Sequence, residues 1–131
     1  MKKALIYLFL ALTLSIFLPG CDNDSFALNA YKALKSSDIT YTATMQAVAQ
    51  AQAKGIISDE QRMIINEKAH AYVDAFRAAA SALYTWELSR NFDDKGPVIN
   101  GVAECAGAVK NLVSKAVQFG VKPGAEADEN R

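Results

Sequence analysis

The chain has 131 residues, with 14 basic and 14 acidic side chains, one histidine and two cysteines. The charge balance excludes the basic footprint of a nucleic-acid-binding domain, and two cysteines exclude a disulfide-rich scaffold. The length allows one small domain.

The first element is a leader. Met1-Lys2-Lys3 is cationic, and Ala4 to Leu18 is an uncharged run, mostly Leu, Ile, Phe and Ala. Fifteen residues are too few for a comfortable membrane span of about 20 residues. A cationic head and a short apolar core form the pattern of a secretory signal peptide. The usual small-x-small cleavage site is replaced by Leu18-Pro19-Gly20-Cys21. This stretch resembles the lipobox of bacterial lipoproteins, with Leu at its first position and Gly before the cysteine; Pro19 stands where Ala or Ser is commoner. The resemblance covers residues 1–21 and implies removal of residues 1–20, a diacylglycerol on the Cys21 sulfur and acylation of the new amino group. Two or more acyl chains anchor stably where one is marginal. Asp22 resembles the signal that retains a lipoprotein in the inner membrane, here facing the periplasm. Loss of Lys2 and Lys3 leaves fourteen acidic side chains against twelve basic. A thioether at Cys21 leaves Cys105 with no partner in the chain, so packing alone must hold the fold.

Beyond a short tether at residues 21–25, the chain is rich in alanine, the best helix former. Ala27, Ala30, Tyr31, Leu34, Tyr41, Met45 and Val48 recur at three- and four-residue steps, predicting a first helix. Asp24 or Ser25 suits its N-cap and Gly55 its end. Ser36-Ser37-Asp38 is either an exposed step within that helix or a break that starts another. Ser58 and Gln61 fit a capping box, with Asp59 and Glu60 in the first turn of a second helix that runs to about Arg90. Its stripe is Ile65, Ala69, Tyr72, Val73, Phe76, Ala80 and Leu83, with Tyr84 and Trp86 on opposite flanks. A third helix carries Pro97 in its first turn. It shows Val98, Val102, Cys105, Ala106, Val109, Leu112, Val113 and Ala116 on one face and stops before Gly120. The expected fold is all-α, an antiparallel bundle of three helices, or four with a break at Ser36-Ser37-Asp38. It occupies residues 26–120, and 121–131 form an acidic, disordered tail. Ala78-Ala79-Ala80 and the Gly101 to Ala108 region provide small residues for close helix approach.

Candidate chemistry is sparse. Glu67 and His70 form one Glu-x-x-His pair, whereas a di-metal bundle uses two. A second copy of the chain, with Glu87 or Glu104, would be needed to complete a site. Haem ligation by His70 with Met45 or Met63 lacks a Cys-x-x-Cys-His attachment motif. Cys105 lies on an apolar stripe, the setting of a small buried residue rather than a reactive thiol. Tyr72, Tyr84 and Trp86 could form a stacking platform, but aromatics at helical spacing are more often core. No catalytic residue, metal or cofactor is assigned. Leu28 and Ile39 share the outer face of the first helix with Lys32 and Lys35, and together with Tyr84 and Trp86 they make the candidate partner face. The expectation is a non-enzymatic, lipid-anchored helical module whose contacts are the membrane, through Cys21, and an envelope protein. A pilotin-like secretion assembly factor and a phage-encoded envelope lipoprotein are the alternatives within the interaction class. A metal- or haem-binding bundle is the contrasting class.

Overall fold

The computed structural model describes residues 23–90 and 94–124. The leader, Cys21 and Asp22 lie outside the described residues, as do residues 125–131 of the expected tail. Three helices account for almost all of the rest: α1 (Asn23–Ala53), α2 (Asp59–Ser89) and α3 (Lys95–Gln118).

Local chemistry sets the helix ends. At the start of α2 the Ser58 hydroxyl accepts from the Gln61 N–H at 3.2 Å, and the Gln61 side chain accepts from the Ser58 N–H at 2.9 Å. These two bonds satisfy donors that a helix start leaves open. At the end of α1, Gly55 is left-handed (φ 70°); its N–H donates to the Gln52 carbonyl and the Ile56 N–H to the Ala51 carbonyl. Gly120 (φ 90°) repeats this Schellman geometry after α3, with the Val121 N–H donating to the Ala116 carbonyl. Val121 is buried. The tail expected from residue 121 therefore does not begin there. At the other end, α1 is already helical at Asn23, so the tether expected through Ser25 is shorter.

Helix α1 crosses Ser36-Ser37-Asp38 without a break, which settles the architecture as three helices. The hydroxyls of this polar stretch bond back into the helix, Thr40 to the Ser36 carbonyl at 3.0 Å and Thr44 to the Thr40 carbonyl at 2.7 Å. Such back-bonding spends side-chain polarity inside the helix, so Thr44 can be buried.

Three cross-helix contacts give the register of α1 and α2. Arg90 meets Asp24 at 2.9 Å, the Tyr41 and Tyr72 rings stack at 4.5 Å, and Arg62 donates to Gln52 at 3.2 Å. The two helices therefore run antiparallel in one unbroken register. Asn23, the end of α2 and the start of α3 share one end of the bundle, called here the near end.

The core has two parts. Phe26, Ala30, Tyr72, Leu83, Trp86, Val98 and Val102 pack near that end. Val48, Ile57, Ile65, Leu112 and Val121 pack at the far end, and Tyr41 touches both groups. Of the expected α3 stripe, Val98, Val102, Cys105, Val109, Leu112 and Ala116 are buried, and Ala106 and Val113 are half-buried. The α1 stripe holds at Ala30, Leu34 and Val48, but Phe26, Ala33, Ser37, Thr44 and Ala51 are buried beside them, and Tyr31 is exposed. In α2, Ala79 replaces Ala80 on the buried line, where a Cβ added to Gly101 of α3 would lie 2.9 Å from the Ala79 Cα. The small residues of both helices thus permit backbone approach, as their sequence suggests.

Candidate functional site

Of the four residues assigned to a partner face, Leu28 (51 % exposed), Ile39 (60 %) and Tyr84 (65 %) are on the surface, and Trp86 (0 %) is not. Trp86 is a correction with a plain cause. Residues two apart on a helix point about 200° apart, so Tyr84 and Trp86 cannot share a face. Trp86 continues the line of Ala79 and Leu83 into the core. Its ring meets Phe26 edge-on at 4.8 Å, and the cations of Arg90 and Lys95 stand 5.3 and 5.8 Å from its centroid. Its indole N–H is buried without a hydrogen-bond partner.

Six further large apolar side chains are exposed: Tyr31, which its spacing assigns to the core, and Ile56, Met63, Ile64, Leu88 and Val117. Tyr31 and Leu88 lie nearest Tyr84. An open groove of about 390 Å³ runs between α1 and α2 beside them, lined by Tyr31, Leu34 and Lys35 on one side and Phe76, Tyr84 and Glu87 on the other. The antiparallel register brings Tyr31 and Tyr84 to the same height, and that signal appears only once the two helices are aligned.

The second region of interest is buried. Ser37 of α1, Tyr72 of α2 and Cys105 of α3 meet between the helices. The Tyr72 ring lies between Tyr41 and Phe76, and its hydroxyl approaches the Cys105 thiol without forming a proper hydrogen bond. Burial pushes the Tyr72 hydroxyl far above the ordinary phenol range, reinforced by Cys105 and Asp38. Burial also pushes the Cys105 thiol up, against smaller opposing contributions from Ser37 and Tyr72. A nucleophilic cysteine needs the reverse shift; here the thiol is packed between the three helices and held in its protonated form.

The linkage of these two groups to stability has a definite sign. Both acids hold their protons more tightly folded than unfolded. Their contribution is complete below the unfolded-chain values, about 8.5 for a thiol and about 10 for a phenol, and is lost as pH climbs towards the raised folded values. Stability should therefore fall by roughly 1 kcal/mol or more between pH 8 and pH 11, and Cys105→Ala should flatten the first part of that fall. The Cys105 thiol should react with a thiol reagent only after denaturation. Rapid labelling of the native chain at pH 8 would place it on the surface.

Glu67 and His70 are both exposed, and Glu87 lies seventeen residues beyond His70 on the same helix, roughly 25 Å away. Among the described residues, no group of three His, Cys, Asp or Glu side chains is placed to hold a metal ion. Met45 packs against the far-end core while His70 and Met63 face outward. No family model matches the chain, and comparison with curated proteins and with solved structures returns no match.

Proposed function

We propose that this chain is a bacterial lipoprotein, acylated on Cys21, with its helical bundle held at the periplasmic face of the inner membrane as a non-enzymatic interaction module. The observation that carries the reading is Leu18-Pro19-Gly20-Cys21 at the end of a cationic and then apolar leader. One feature supports it: α1 is already helical at Asn23, close beyond the acylation position. Attachment is through the acyl chains, and Asp22 directs retention in the inner membrane. The exposed apolar side chains of α1 and α2 supply the contact surface.

The test is metabolic labelling with a palmitate analogue. The native chain should incorporate label and migrate at the mass of residues 21–131 plus lipid. Cys21→Ser should lose the label entirely and retain the leader. Equal labelling of the two proteins would end the lipoprotein reading.

A further inference from the structure

We propose that the α1–α2 face at the near end of the bundle lies on the bilayer itself, with Leu28, Tyr31, Tyr84 and Leu88 seated in the headgroup layer. The proposal rests on acylation of Cys21 and adds what that reading leaves open, namely which face meets which partner.

The chain length between anchor and fold is the first argument. Only Asp22 separates Cys21 from Asn23, where α1 begins. Two residue steps span at most about 7 Å. The near end therefore cannot stand clear of a surface to which Cys21 is bound.

The second argument is where the exposed apolar groups lie. The Asp24–Arg90 contact places the end of α2 beside the start of α1. Leu28 and Tyr31 fall within the first nine residues of α1, and Tyr84 and Leu88 within the last six of α2. All four are more than half exposed. Tyr31 and Tyr84 flank the α1–α2 groove. The outer side of α3 near this end exposes Asn100 and Glu104 and no large apolar side chain, and the other exposed apolar set, Ile56, Met63 and Ile64, lies at the far end, away from Cys21.

Geometry selects the tilt. The headgroup layer is about 5–7 Å deep on each side of the hydrocarbon, and α1 rises about 1.5 Å per residue. A bundle standing upright would place only its first turn in that layer. Leaning onto the α1–α2 face brings all four side chains down together. Tyrosine suits this position because its ring is apolar and its hydroxyl remains hydrated. Lys32 and Lys35 can extend their stems along the surface and keep their ammonium groups in water. With Asp24, Asp38 and Glu87 nearby, the face carries both signs of charge, so neutral lipid suffices as the partner.

The chain offers a direct probe. The lipid consumes Cys21, and Cys105 is buried, so one introduced cysteine can carry a spin label. The mature lipidated chain is placed in phosphatidylcholine nanodiscs with labels at Tyr84→Cys, Leu88→Cys, Glu104→Cys and Met63→Cys. All four sites are exposed, and Met63 and Glu104 report the far end and the opposite face. The ratio of oxygen to nickel-chelate accessibility should be severalfold higher at residues 84 and 88 than at 63 and 104. An acylated chain whose four labels are equally open to nickel overturns the proposal and leaves the face to a protein partner. Protection at residue 63 in place of 84 and 88 overturns it in favour of the far end. Spin–spin broadening at 84 or 88 that disappears on dilution of the label overturns it in favour of a second copy. A chain lacking the acyl mass ends the lipoprotein reading as well, which separates the two failures.

Discussion

Replacing Trp86 with alanine should lower stability by about 4 kcal/mol, the usual range for deleting a buried aromatic ring. The ring is fully buried, touches Phe26 edge-on at 4.8 Å and sits in the core group that also holds Leu83, Val98 and Val102. These neighbours come from all three helices, so a cavity there loosens every helix pair at once. Domains of this size are stable by roughly 5–15 kcal/mol. The alanine variant should therefore unfold at much lower urea, followed by circular dichroism because the only tryptophan is gone. Trp86→Phe separates ring from polar group. It keeps part of the packing and deletes an indole N–H that is buried without a partner. An unsatisfied buried donor costs about 1–3 kcal/mol, so its removal offsets much of the lost volume, and the phenylalanine variant should stay within roughly 1.5 kcal/mol of the native chain. An alanine variant as stable as the native chain would show that residue 86 is not core.

Trp86 also shows where sequence reading reaches its limit. Helix ends were legible because they are local: the Ser58/Gln61 box and the turn at Gly55 need only neighbouring residues. The α3 stripe was legible because every buried side chain in it is apolar. Helix α1 differs. Its buried line includes Ser37 and Thr44, and a search for apolar spacing passes over them and settles on Tyr31, a quarter-turn or more away. Polar residues can enter the line there because Thr44 bonds within its own helix and Ser37 reaches Cys105. The surface set was half legible. Leu28, Ile39 and Tyr84 are exposed as expected, but joining Tyr31 and Leu88 to Tyr84 required the α1–α2 register, which is a tertiary fact. The proposed anchor is a different case, since the resemblance of Leu18-Pro19-Gly20-Cys21 to a lipobox lies in the residues themselves and needs no fold.

The tightest helix contact yields the other large effect. Gly101→Val should destabilise the bundle by about 3 kcal/mol, at the upper end of overpacking costs. A Cβ at residue 101 would lie 2.9 Å from the Ala79 Cα and 3.1 Å from its Cβ. The first of these atoms belongs to the α2 backbone, so no rotamer change relieves the clash; the helices must separate. Separation there would also open the near-end core around Val98 and Val102, because both lie within one turn of Gly101 on α3. Alanine isolates the effect. In a helix interior Gly→Ala normally gains about 1 kcal/mol. At Gly107, on the exposed side of the same helix, an added Cβ would meet nothing within 4 Å, so Gly107→Ala should raise stability by about 0.5–1 kcal/mol. At Gly101 the same substitution should reverse sign and cost about 1 kcal/mol net, the clash outweighing the propensity gain. Parallel urea denaturation of the two alanine variants measures this directly. Equal stabilisation at both positions would mean that α2 and α3 do not approach this closely.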